Sequence, residues 1–328
     1  MVCLPALVSV LVSVLVSVLA ASAAAAAPFA YITNQGSHDV SVVDLASDRV
    51  VATVPVGRSP AGVSACSGNG RVYVSNPDSR SISVIDMTSR QVVQTWPAGS
   101  GPVGLATSPD CSGLVVADWF NNRLLVYDTR SADAPRSLAV GRAPAGVAAA
   151  AAGLAFVAER DDDSVAVIDT VLLRVRARVK VGSHPFALLL DGPRQRLYAL
   201  NVQSNDISVI DVRYPDRPQV LATVPVGEGP YGAALAAGGR LLYVTNQLAD
   251  SVSVVDADSL KPLRTLAGFG YPEGIAAHGD KVYVVNWMDN ALSVLDAPSG
   301  RLLATVATGR NSRGFGNFIG MPPATARP

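Results

Sequence analysis

At 328 residues with 26 basic and 26 acidic side chains, the chain has no formal net charge, and only 16% of it is charged. That balance excludes the whole-molecule basic field on which binding to nucleic acid or an anionic membrane relies. Three cysteines without a CxxCH exclude a covalently attached c-type haem, and few aromatics leave the core to Val, Leu, Ile and Ala.

Residues 1–27 open the chain with LPALVSVLVSVLVSVLA and the small-residue run ASAAAAA. An apolar segment followed by A-x-A-type sites reads as a secretory signal peptide, with cleavage expected between Ala23 and Ala27. No Lys or Arg precedes Arg49, so the usual basic n-region is missing. The alternative is a retained anchor, for which roughly 17 apolar residues is a marginal span. Export is the expectation, to a periplasmic or secreted location with no stable membrane span after processing. Cys3 would leave with the signal peptide. Cys66 and Cys111 fall in neighbouring repeats on one rim, where an exported protein can join them in a disulfide.

From residue 28 the sequence repeats. Short runs rich in Val and Tyr, bounded by Asn, Asp and Ser, read as antiparallel strands. Their apolar position recurs as Tyr31, Tyr73, Val115, Phe156, Tyr198, Tyr243 and Tyr283. Three residues after each come Asn34, Asn76, Asp118, Glu159, Asn201, Asn246 and Asn286. Ten residues after those come Asp44, Asp86, Asp128, Asp169, Asp211, Asp256 and Asp296. The first of these two columns is expected to tie the adjoining loop. The aspartates are expected to be structural, accepting backbone N–H bonds in turns. Seven units of about 42 residues predict an all-β, seven-bladed propeller of four-stranded antiparallel blades.

Within a unit, strand A follows a Gly-x-x-Pro loop such as GRSPAG (57–62) or GEGPYG (227–232). Strand B carries the Tyr, strand C ends at the Asp, and strand D is a run such as VVATVPV (50–56). The chain begins on a B strand and ends on an A-type segment, GFGNFIG (314–320). The C-terminal strand is therefore expected to join the N-terminal blade and close the ring, which removes an open edge. The propeller then spans 28–320, with 321–328 as a loose tail.

The runs AYITN (30–34), VYVSN (72–76) and LYVTN (242–246), each followed by an SVxVxD-like strand, resemble the YVTN-repeat family of YncE-like propellers. The resemblance covers residues 30–320 and departs from the pattern at VVADW and AFVAER in repeats 3 and 4. It implies kinship with the propeller subunits of quinoprotein amine dehydrogenases. A partner that is itself a periplasmic redox enzyme follows from it, the cofactor belonging to that partner and none to this chain.

Function is expected where the repeat is broken, on the face shared by the D–A and B–C loops. That face collects Trp119, Phe120, Arg123, His184, Tyr231, Tyr271, Glu273, Trp287, Arg310, Arg313 and Phe315. Aromatics and arginines gathered on one face point to a contact surface for a protein or a small ligand. The stretch from Trp287 through RNSRGF (310–315) is its most specific part, unless ring closure alone explains that sequence. Arg58, Arg80, Arg142, Arg310 and Arg313 make one sector basic, while Glu159, Asp161, Asp162, Asp163, Glu228 and Glu273 make another acidic. The acidic sector counts against nucleic acid. No metal-ligand spacing or catalytic motif occurs, so neither metal nor catalytic residues are assigned. A lactonase- or lyase-like enzyme would use Glu159, His184, Glu228 and Glu273 around the channel. The reading is an exported, non-enzymatic binding or scaffold propeller.

Overall fold

The structure, a computed structural model, describes residues 28–131 and 133–323. The expected signal peptide, Cys3 and residues 324–328 of the expected tail lie outside the described residues. Seven antiparallel sheets form the ring of a β-propeller, blade 1 being Phe29–Asn34, Asp39–Asp44, Arg49–Pro55 and the C-terminal Ile319–Gly320. Blades 2 to 7 begin on the A strands Gly62–Cys66, Pro102–Thr107, Pro144–Ala149, Pro185–Asp191, Pro230–Ala236 and Pro272–His278.

Strands B and C lie between neighbouring blades and are buried on both faces, which is why they read as continuous apolar runs rather than alternating ones. The D strands form the outer rim and are mostly exposed, with an inward residue such as Val54 or Val224 buried. A β-bulge between strands C and D in six blades, as at Val42/Val43 and Val254/Val255, twists that rim.

The A strands crowd the central axis, and there the glycine that follows the Pro-x pair in five of the six proline loops is a steric requirement, blade 5 alone carrying Ala187 at that place. A Cβ on Gly62, Gly104, Gly146, Gly232 or Gly274 would sit 2.1–2.5 Å from a carbonyl oxygen of the next blade. No side chain fits that approach.

Ring closure is more elaborate than one added strand. Ser312 takes the place of the loop proline and bridges to Asn34. Arg313 N–H then donates to Thr33 O at 2.8 Å, and Ile319–Gly320 pairs antiparallel with Phe29–Ala30. Between them Phe315–Asn317 leaves blade 1 and runs parallel to Gly62–Cys66 of blade 2. Gly314 and Gly316, at φ +63° and +118°, allow the excursion. Residues 321–323 continue along blade 2, where Met321 N–H donates to Ser67 Oγ at 2.8 Å.

The seven turn aspartates each accept a backbone N–H two or three residues on, from Ala46, Thr88, Arg130, Val171, Arg213, Ser259 and Ser299. Five carboxyls are held below the ordinary value of 3.8 by such partners. For Asp86 and Asp256 the first cause is the backbone N–H of Ser89 and of Ser259. For Asp128, Asp211 and Asp296 it is the side chain of Arg130, Arg213 and Ser299. A depressed folded pKa contributes stability that is fully present above the unfolded value and lost as pH falls through the folded one. The melting temperature is therefore expected to fall as pH drops below about 4, with Asp128→Asn/Asp211→Asn/Asp296→Asn flattening that limb. Thermal denaturation over this range tests it, and an unchanged acid limb in the variant refutes it.

Candidate functional site

The D–A and B–C loops do share one face, and a ladder of hydrogen bonds explains its shape. In five blades the Asn at the end of strand B is buried and donates to a serine seven residues on, as Asn76 does to Ser83 and Asn246 to Ser253. Blades 3 and 4 have Leu125 and Ala166 at the serine position. There the Asn becomes Asp118 and Glu159, which accept from the Gly101 and Gly141 N–H and pair with Arg123 and Arg178 at 2.8 and 2.9 Å. The departures from the repeat at these two blades are thus a substituted hydrogen-bond set. Arg123 and Glu159 are committed to it.

At the centre of this face, the residue after the loop proline, or after Ser312 in the seventh loop, points to the axis. The seven are Ala61, Val103, Ala145, Phe186, Tyr231, Glu273 and Arg313. Small side chains on one side leave room for large ones on the other. Phe186 lies 4.7 Å from Tyr231 and 5.0 Å from Phe315, with Trp119 6.1 Å beyond. Arg313 Nε donates to Glu273 Oε2 at 2.6 Å, Nη2 donates to the Tyr231 hydroxyl, and Gln247 donates to the other Glu273 oxygen at 2.7 Å. Burial pushes the Glu273 carboxyl upward while Arg313 pulls it down, and burial likewise raises the Tyr231 hydroxyl. Tyr231, Glu273, Arg313 and Phe315 therefore form a filled plug across the channel, with their polar groups satisfied by one another.

The other residues expected on this face lie around the plug. Tyr271 packs tilted against Trp287 with ring centroids 5.6 Å apart, and Trp287 Nε1 donates to Gln35 of blade 1 at 3.2 Å, so this pair spans the closing seam. Arg310 donates to Gly36 O across the same seam. His184 is held by its backbone N–H on Asp163. Phe120, Leu248 and Met288 stand out, 72%, 60% and 59% exposed on the B–C loops of blades 3, 6 and 7. Of the three, the sequence reading named Phe120.

It also missed a column. Four residues after the Asn position stand His38, Arg80, Asn122, Asp163, Asn205, Asp250 and Asn290, all with φ between +47° and +61°. Six of the seven side chains accept the backbone N–H of Ser59, Ala143, His184, Gly229, Tyr271 or Asn311 in the D–A loop leaving the same blade. Lining up the repeats would have exposed the odd member, Arg80, which cannot accept.

Below the plug, towards the A–B turns, the channel holds a cavity of about 480 Å³ lined by A-strand residues such as Leu105, Val147, Leu189, Leu235 and Ile275. No charged side chain lines it, and Glu159, His184, Glu228 and Glu273 are all absent from its wall. On the A–B side Cys66 and Cys111 form a disulfide between blades 2 and 3. Among the described residues no three His, Cys, Asp or Glu side chains converge at metal-binding range, and no helix is long and apolar enough to cross a membrane.

Residues 64–153 match the model of the YNCE-like beta-propeller family. The seven-bladed ring carries that architecture through the rest of the described chain. Similar solved structures include Kuenenia stuttgartiensis hydrazine synthase, with TM-score 0.71 and 20% identity over 81% of this chain and 91% of that one. A functionally unknown protein from Desulfotomaculum acetoxidans has TM-score 0.76 and 16% identity over 90% and 99%. Dihydro-heme d1 dehydrogenase NirN in complex with DHE has TM-score 0.65 and 17% identity over 85% and 63%. At these identities the likeness is one of fold. No curated protein matches the sequence.

Proposed function

We propose that this propeller is an exported, non-enzymatic binding or scaffold protein that meets a protein partner through its D–A/B–C loop face. The observation that carries this reading is the plugged centre of that face. Its ionisable groups, Glu273 and Arg313, are spent on each other, while exposed Phe120, Leu248 and Met288 surround it. Apolar side chains at a rim, with no convergent reactive groups between them, suit contact rather than chemistry. Export is supported by the apolar segment at 1–27 and by the Cys66–Cys111 disulfide. NirN, one of the similar folds, is named as a dehydrogenase, which favours a redox enzyme as the partner.

Purification of the mature chain from its own host at low salt is expected to recover a stoichiometric protein. A Phe120→Asp/Leu248→Asp/Met288→Asp variant is expected to lose it at unchanged melting temperature, since all three residues are surface-exposed. A monomer without partner, or a partner retained by the triple variant, refutes the reading. Arg313 is unsuitable for this experiment because its loss would disturb the plug.

A further inference from the structure

Where the acceptor column fails, a cleft opens. Arg80 keeps the backbone role of its column, accepting the Ala98 N–H at 2.9 Å, but its side chain offers no acceptor to Gly101. The Gly101 N–H turns instead to Asp118 Oδ1 at 3.0 Å. The Arg80 guanidinium, released from the seam, lines a surface cleft of about 440 Å³ together with His38, Arg58, Asp78, Ser100 and Phe120. His38 is the other member of the column that is neither Asn nor Asp. Its Nδ1 accepts the Ser59 N–H at 3.0 Å, which leaves the ring proton on Nε2 as a donor.

Two guanidinium groups here face one carboxylate. Asp78 already accepts the Ser59 hydroxyl at 2.6 Å, and Arg58 spends one N–H on Asp78 O at 2.9 Å. Arg80 forms neither a salt bridge nor a side-chain hydrogen bond among the described residues. The cleft thus combines a surplus positive charge and several free N–H donors with the exposed ring of Phe120. The arrangement matches a compact oxyanion carried on a flat apolar body: the arginines take the oxyanion and the phenyl ring takes the body.

We propose that this cleft between blades 1, 2 and 3 is a binding site for an organic anion, a carboxylate or phosphate attached to an aromatic or similarly flat group. It rests on the reading that this face binds, and it names a chemistry for one sector of it.

Calorimetric titration of the full chain with phenyl phosphate, benzoate and inorganic phosphate tests the site. Saturable binding of phenyl phosphate or benzoate is expected, weakened about tenfold or more by Arg80→Asn, as for loss of a charge-assisted contact. Asn is the residue of this column at 122, 205 and 290, so the variant restores the repeat and is expected to fold with an unchanged or raised melting temperature. Phe120→Ala is expected to weaken both aromatic ligands severalfold and to leave inorganic phosphate unaffected. Preference between the two aromatic anions separates phosphate from carboxylate as the natural group. Absence of saturable binding by either, equal affinity in Arg80→Asn, or inorganic phosphate binding as tightly as phenyl phosphate overturns the proposal. No partner is present in the titration, so its failure removes the cleft alone, and the partner reading stands or falls by co-purification.

Discussion

Replacing Arg313 with methionine is expected to destabilise the propeller by about 3 kcal/mol, the lower end of the range for stripping one member from a buried ion pair. The lower end applies because the Arg313 side chain keeps 20% of its exposure while Glu273 keeps 2%. The variant leaves Glu273 with Gln247 as its remaining side-chain donor and removes the donor to the Tyr231 hydroxyl. Burial then dominates the Glu273 carboxyl, opposed only by the Gln247 hydrogen bond, and its folded pKa rises further above its unfolded value. A raised folded pKa contributes stability present below the unfolded value and lost as pH rises through the folded one, so the deficit relative to the wild type is expected to grow as pH rises past the wild-type carboxyl's own raised value. The double variant Arg313→Met/Glu273→Gln removes the stranded charge and is expected to recover more than half of the loss. Denaturant unfolding of the four species measures the coupling. A single-variant loss below about 1 kcal/mol would mean that the pair is solvated and the plug is not closed.

Opening the Cys66–Cys111 bond is expected to cost about 4 kcal/mol, from the chain-entropy relation applied to a sequence separation of 45. Both cysteines are buried, at 7% and 4%, in the cluster that packs Tyr73, Leu105, Leu114 and Tyr127 between blades 2 and 3. Cys66→Ala/Cys111→Ala removes the bond without burying a hydroxyl. Its unfolding midpoint, compared with that of the wild type with and without reductant, is the measurement. The fully reduced wild type and the variant are expected to coincide well below the oxidised protein. A midpoint insensitive to reductant would show that the two thiols are not joined.

Much of the fold was legible because a propeller writes its geometry into the chain repeatedly. The Tyr31 to Tyr283 column located every B strand, and the spacing to Asp44 through Asp296 located every C–D turn. The run GFGNFIG announced ring closure, since a chain that starts on a B strand needs an A strand from elsewhere. Its detour to blade 2 was not legible, because the positive φ of Gly314 and Gly316 is a conformation that glycine permits and does not dictate.

The candidate site divided differently. Sequence reading placed Tyr231, Glu273, Arg313 and Phe315 on the D–A/B–C face, and the structure sets them at its axis as one packed cluster. The position after the loop proline, or after Ser312 in the seventh loop, points inward only because seven A strands converge there, a property of the closed ring that no single repeat contains. Arg80 shows the same limit. Its place in a column of acceptors can be read by aligning the repeats, but the consequence depends on which N–H in the next blade is left without a partner. Local periodicity and turn chemistry by themselves determined the blade count, the strand order and the turn aspartates, because those interactions act within about 42 residues. The plug, the uncharged cavity beneath it and the cleft at Arg80 were decided only by tertiary structure, because each joins side chains from different blades whose distances are set by closure of the ring.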